Sequence, residues 1–438
     1  MLGTQLCPFC FKLGRSNGSR AFCLCEIAVA CSVFWAVTLS LLGVAADWPQ
    51  FHGPRRDNIS HDTGLAAAWP ENGPPLLWSA SGLGHGFSTV AIAAGRILTT
   101  GDRDDRLVIT CLDLSGKILW QAENGPAWTG PVPGSRGTPT IDGEFFYHQN
   151  AHGDLACFRL DNGQRLWHVN VLQAFGAENI DWALAESPLV DGQKVISCPG
   201  GPQTAIVAFD KKTGQLLWKS PSVNDKAGYC SPILAEWQGL RMIMVLTAKG
   251  FIGVNADTGA LLWYVRHETP FDENITSPIY HNGHVFISTR TTGSVLFRIH
   301  VDGQTARLEP VWRNLDLDNQ HGGVILYDGH LYGASHVNQQ GKWICVDWTT
   351  GQTRWMERGV GKGALTLADG KLFLVSETGD VGLAPASPRE LKVVSQFKAP
   401  RGGPGPFWAH PVVCDGRLYI RHSDRLFVYD VRSPAGKR

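Results

Sequence analysis

Eight short stretches of this 438-residue chain concentrate charged, amide or aromatic side chains. They are Gly84-His85-Gly86-Phe87, Gly134-Ser135-Arg136, Asp181-Trp182 through Glu186, Gly228-Tyr229, Asp272-Glu273-Asn274, Asp318 through His321, Gly361-Lys362-Gly363 and Phe407-Trp408-Ala409-His410. Arg136, Asp181, Glu186, His321, Lys362 and His410 offer charge or a titratable proton, Trp182, Tyr229 and Trp408 offer flat apolar faces, and Asn274 offers an amide. Gathered in one place, these ten side chains suit a polar or sugar-like ligand held by rings and oriented by hydrogen bonds. Scattered, they are solvated loops whose glycines only shape turns. Each stretch lies just before a short apolar run that reads as a strand, so the arrangement of those strands decides between the two.

The strands belong to a repeat. One phrase recurs: a small residue, often with proline; an apolar pair; Asp-Gly or Asn-Gly; a strand; a glycine; a second strand ending in aspartate; a glycine turn; then Leu-Trp. The clearest copy runs from Glu186-Ser187-Pro188 through Asp191-Gly192 and Ala208-Phe209-Asp210 to Thr213-Gly214-Gln215-Leu216-Leu217-Trp218. The closing tryptophans, Trp78, Trp120, Trp167, Trp218, Trp263, Trp312 and Trp355, fall at intervals of 42, 47, 51, 45, 49 and 43 residues. That is the period of a four-stranded propeller blade. Six turn pairs, from Asp142-Gly143 to Asp415-Gly416, join apolar runs as hairpins. The last unit stops at Leu426–Asp430 without a final strand, and Pro75-Leu76-Leu77-Trp78 is a spare one. Pairing the two predicts an all-β, eight-bladed propeller of four-stranded antiparallel blades, because otherwise two edges stay open; seven blades is the alternative. The loops into the innermost strands then ring one mouth of the central channel. Cys111, Cys157 and Cys345 align with Ala208 and Gly253 as small core positions, one to a blade, while Cys198 and Cys230 could pair in an oxidising compartment.

Composition agrees and excludes other classes. Glycine (50) and tryptophan (16) are abundant, and charged residues make up only 18%, the profile of a turn-rich, aromatic-rich β protein. Lysine plus arginine and aspartate plus glutamate balance at 39 each, so no broad field attracts nucleic acid or an anionic membrane. The chain divides into residues 1–46, an N-terminal extension 47–75, the propeller 76–431 and a tail 432–438. Lys12, Arg15 and Arg20 precede an apolar run, uncharged from Ile27 to Ala46, that ends in small residues. This predicts export, with cleavage near Ala46, or alternatively anchoring by residues 27–46. Cys7-Pro8-Phe9-Cys10 has the spacing of a redox or metal pair but lacks well-spaced partners.

The phrase Ala-Phe-Asp-x-x-Thr-Gly-x-x-Leu-Trp, repeated around a ring, resembles the pyrroloquinoline-quinone-like (PQQ-like) β-propeller family, which includes BamB scaffolds and quinoprotein alcohol dehydrogenases. Asp47-Trp48-Pro49-Gln50-Phe51-His52-Gly53-Pro54-Arg55 is similar to the opening of a group of secreted bacterial proteins of this fold. The resemblance implies a non-catalytic binding or scaffold module of the bacterial envelope, in the periplasm or membrane-anchored, with an envelope protein, peptide or glycan as partner. Its alternative is an oxidoreductase dependent on PQQ or calcium. Glu186, Asp181 and Asn274 would then imitate the calcium ligands, and His321, Glu186 or Asp181 would act near the cofactor. The quinoproteins' adjacent cysteine pair is missing here, and the chain is shorter than theirs. No catalytic residue or resident metal is assigned.

Overall fold

The computed structural model describes residues 47–434. The export segment and the Cys7–Cys10 pair lie outside the described residues. Within them, eight four-stranded antiparallel sheets follow one another around a ring, as the eight-blade reading expects. The first blade runs from Ala91–Ala93 to Ile118–Pro126 and the seventh from Gly363–Ala368 to Ser395–Lys398. The eighth takes three strands from the C-terminal end, Val412–Cys414, Arg417–His422 and Arg425–Asp430, and its outermost strand, Leu76–Ala80, from the N-terminal end. Trp78 sits opposite Val428 across that junction, and the ring closes.

Local chemistry dictates each blade. Asn282-Gly283, Asp328-Gly329, Asp369-Gly370 and Asp415-Gly416 all have positive φ at both positions, the backbone of the two-residue hairpin turn that matches strand twist. At the next hairpin but one, the Asp210 carboxylate accepts from the amides of Lys212 and Thr213 and from the Thr213 hydroxyl. Gly214 follows at φ 72°, and a Cβ there would lie 2.8 Å from the Trp167 ring of the preceding blade. The Trp167 Nε1 donates to the Lys211 carbonyl at 3.0 Å. Trp78, Trp120, Trp312 and Trp355 make the same reach to Leu114, Leu160, Trp348 and Ser387. The recurrent tryptophan is therefore a clamp between neighbouring blades, laid on the glycine turn of the next one.

The small positions match as well. Cys111, Cys157, Ala208, Gly253 and Cys345 each stand directly across from the closing tryptophan of their own blade. The apolar core lies mostly between blades; one cluster joins Ala91, Leu98 and Ile109 of the first to Phe146, Ala156 and Phe158 of the second. Cys198 and Cys230 are buried free thiols, so the structure contains no disulfide between them. Helix among the described residues is confined to Val171–Phe175 and one turn at Pro270–Asp272. None is long and apolar enough to cross a membrane.

Candidate functional site

Residues 47–60 enter the ring and fill its axis. Trp48 exchanges both backbone hydrogen bonds with Ile92 of the first blade, at 2.7 Å each. The Pro49 carbonyl accepts from Ile141 of the second. Arg56 reaches between the third and fourth blades, donating to the carbonyls of Ser187 (3.1 Å), Pro232 (3.0 Å) and Pro188. Ile59–Ser60 adds a parallel strand on the axial side of Gly363–Ala368 in the seventh, where Asn58 donates to the Leu365 carbonyl at 2.5 Å. His52 meets His410 of the eighth, Nε2 to Nδ1, at 3.0 Å. Five turns of contact with the ring make the segment a plug, and its Phe51-His52 end faces the mouth ringed by the polar loops.

Above that end lies a cavity of about 210 Å³. Its floor is Phe51, His52 and His410, and its walls include Phe87, Arg136, Trp182, Tyr229, Glu273, Ser277, Gln320, His321 and Trp408. Six of the ten side chains singled out in the sequence thus share one space: Arg136, Trp182, Tyr229, His321, Trp408 and His410. The loops approach each other closely enough to do this because of their glycines. At Gly322, next to His321, a Cβ would lie 2.0 Å from the Gly363 carbonyl oxygen of the next blade.

Four of the ten do not join them. Asp181 is exposed and faces a separate depression with Lys226 and Lys249. Asn274 is fully buried and spends its amide hydrogens on the carbonyls of Thr247, Ala248 and His267. Glu186 is buried behind the wall, accepting from the Cys198 amide at 2.9 Å while its second oxygen has no hydrogen-bond partner. Burial pushes its carboxyl up to about 8, against the pull of that amide and of the Arg56 charge. Lys362 stops at the edge, bonded to Glu377 (3.1 Å) and Gln320 (3.2 Å).

Glu377, which no sequence argument selected, organises one side of the mouth. Its Oε1 accepts from the Trp408 indole at 2.7 Å and pairs with Lys362 and with His321 at 3.2 Å. Burial alone would raise its pKa; the His321 hydrogen bond and the Lys362 charge overcome that and hold it at about 2. Gln320 continues the belt to Glu273 (3.1 Å), which Arg290 pairs at 2.6 Å. On the opposite side Arg136 donates to the carbonyls of Pro131, Val132 and Gly134 and stacks over Trp128 at 5.7 Å. It makes no ion pair among the described residues. In the floor, His410 Nε2 lies 2.6 Å from the His321 carbonyl, which can only accept. His410 therefore carries its proton on Nε2, accepts on Nδ1, and requires His52 to donate. Burial lowers both rings, His410 to about 4, so the pair is neutral at ordinary pH.

Glu377 was missed because it lies in the hairpin between the second and third strands of its blade, which opens on the same face as the loops into the first strand. Phe51 and His52 were visible only as part of an aromatic-rich opening segment.

The family model described as outer membrane protein assembly factor BamB matches residues 59–195 and 180–357. The chain belongs to this family. A BamB of Shewanella oneidensis is 26% identical over 262 residues, covering 56% of this chain and 62% of its own length, so the match spans less than two thirds of that relative. Among solved structures, BamB from Moraxella catarrhalis shares the fold at a TM-score of 0.57 and 14% identity, covering 81% of this chain and 97% of that one. Quinohemoprotein alcohol dehydrogenase from Comamonas testosteroni does so at 0.62 and 13%, covering 89% and 81%.

The second neighbour makes a fit test for quinone and calcium necessary. Glu186, Asp181 and Asn274, the imitators of a calcium set, point to three different places, and two are already committed to backbone groups. Cys111, Cys157, Cys198, Cys230 and Cys345 are separate free thiols, and the axis under the mouth is taken by Phe51 and His52. These residues do not fit a quinone with its calcium, and no step is derived through either.

Proposed function

We propose that this protein is a non-catalytic binding propeller of the bacterial envelope, exported and then either released by cleavage near Ala46 or anchored by residues 27–46. Its funnel cavity takes a ligand on Trp182, Tyr229 and Trp408, and its rim takes a protein partner. Membership of the BamB family supports the scaffold role. The axial plug carries the non-catalytic part, because it places the chain's own rings under the funnel mouth. The outer circumference is apolar: Leu76, Leu119, Leu166, Leu216, Leu217 and Leu261 on outermost strands are all at least 40% exposed, the kind of surface a protein partner covers.

Purified protein supplied with PQQ and calcium should neither take up quinone stoichiometrically nor reduce dye with alcohols. Uptake that restores dye reduction would establish the oxidoreductase reading instead. N-terminal sequencing of the protein from soluble and membrane fractions distinguishes release from anchoring.

A further inference from the structure

We infer that the funnel cavity binds a saccharide bearing a carboxylate, with the chain continuing over the lip. The inference rests on the funnel being a ligand site, and it names the ligand's chemistry.

Three independent features lead there. First, the walls present aromatic faces from two sides. Trp408 packs against Phe87 at 5.0 Å and His321 at 4.9 Å, and across the mouth Trp182 packs against Tyr229 at 6.1 Å. Paired platforms of this kind cover the apolar faces of a flat, rigid ring. Second, the wall retains unspent hydrogen-bonding capacity. Ser277 is 8% exposed and its Oγ has no partner; the Tyr229 hydroxyl accepts from the Trp182 amide at 3.4 Å and keeps its own hydrogen to donate. An apolar occupant would leave these groups buried and unpaired, which is costly. Hydroxyl groups satisfy both. Third, the charges do not cancel. Glu273 is met by Arg290, and Glu377 by Lys362 and His321. Arg136 makes no ion pair among the described residues: its hydrogen-bond partners are carbonyls and Asp102 acts on it only through its field, so part of its five-donor fork stays available to an anion.

The site extends through Trp182 to Phe271, which lines the neighbouring depression. Phe271 is 65% exposed at φ 63°, a conformation unfavourable for a bulky residue. It gains no burial there. It stands edge-on to Trp182 at 6.3 Å, with Arg290 over its ring at 5.4 Å. Strain held at an exposed ring beside a cavity marks a contact surface, here for the next sugar along. The cavity opens to solvent at its mouth, so a chain longer than the part it holds continues over such a platform. A peptide is a poorer occupant, since the axial edges of the innermost strands at Ile92, Ile141 and Leu367 already pair with residues 47–60.

The test is titration of tryptophan fluorescence in the full protein with D-glucuronate, tri-galacturonate, glucose, cellotriose and an aromatic acidic peptide, with circular dichroism as the folding control. Saturable responses to both acidic sugars, with glucose and cellotriose weaker by about tenfold or more, are expected. Arg136→Gln should remove that preference, and Phe271→Ala should weaken tri-galacturonate while leaving glucuronate unchanged. Should Trp408→Ala not fold, Trp408→Phe and Ser277→Val are the substitutes, and each should weaken every sugar. Equal binding of acidic and neutral sugars, indifferent to Arg136→Gln, overturns the carboxylate. Binding of the peptide alone overturns the saccharide while the funnel remains a ligand site. No response to any probe overturns the inference, and if Trp408→Ala also leaves partner capture intact, the funnel is not the working face.

Discussion

The periphery and the axis of this propeller are built on opposite principles. At the periphery one contact is repeated: a tryptophan on an outermost strand lies on the glycine turn of the next blade and donates to a carbonyl there. At the axis nothing repeats. Residues 47–60 touch six blades through four kinds of group: backbone at Ile92 and Ile141, guanidinium at Ser187 and Pro232, amide at Leu365, imidazole at His410. A repeated contact spreads its cost of failure around the ring. A singular one concentrates it, and the largest effects of substitution are expected on the axis.

Arg56→Ala should therefore be the most damaging single change. It leaves the buried Ser187 and Pro232 carbonyls without that donor, while the Pro188 carbonyl keeps the Thr140 hydroxyl at 2.6 Å, a loss of about 2–5 kcal/mol at about 1–3 kcal/mol for each unsatisfied buried group. Urea unfolding measures it. A loss below about 1 kcal/mol would show the plug to be dispensable and the comparison mistaken.

Glu186 gives the axis a pH dependence opposite in sign to that of the peripheral turn aspartates Asp113 and Asp210, whose carboxyls are held low by turn hydrogen bonds. Its folded pKa of about 8 exceeds the ordinary value of 4.5, so between those values the folded state holds a proton that the unfolded state has released. Its own contribution to stability then falls as pH rises from about 4.5 to about 8, by on the order of 3 kcal/mol across the window, while the lowered His52 and His410 act in the opposite sense below 6.5. Glu186→Gln, which fixes the neutral form, should flatten that slope. An unchanged slope in the variant would place the dependence elsewhere.

How much could be read in advance divides along the same line. Blade number, ring closure and the opposition of Cys111, Cys157 and Cys345 to tryptophans were legible because each contact recurs at a fixed offset. Arg56 was not, since its partners Ser187 and Pro232 lie 131 and 176 residues away and are met once. The funnel stands between these cases. Position in the repeat identified the loops, and Arg136, Trp182, Tyr229, His321, Trp408 and His410 do line one cavity. It did not identify side-chain direction: Asn274 and Glu186 sit in the right loops but turn inward, because backbone groups needed partners, the carbonyls of Thr247, Ala248 and His267 at the preceding blade for Asn274 and the Cys198 amide for Glu186.

A smaller effect sharpens the peripheral half. Gly214→Ala combines a positive φ with a Cβ 2.8 Å from the Trp167 ring, whereas Gly192→Ala has a similar φ of 58° and open space. The first should cost about 2 kcal/mol and the second about 1, the difference being the clamp itself. Equal losses in thermal unfolding would mean that strain, not the tryptophan, accounts for the glycine.

The clamp is not uniform, and its exceptions give the finest test. Trp218 covers Gly259 as its counterparts cover theirs, yet its Nε1 is buried without a hydrogen-bond partner. Trp263 has the same orphaned Nε1 and lies against Gly253 of its own blade, and the fifth blade has Asp302-Gly303 at its third-strand turn where the third and sixth carry Asp-x-x-Thr-Gly. Ring stacking and the hydrogen bond can thus be separated within one molecule. Trp167→Phe loses both the outer ring and the bond to Lys211, while Trp218→Phe loses the ring alone and relieves an unsatisfied donor. Trp167→Phe should be the more destabilising by about 1 kcal/mol, the net worth of one hydrogen bond. If the two are equal, the stack alone holds neighbouring blades together, and the carbonyl partner of the other tryptophans is a consequence of that stacking and not a contributor to it.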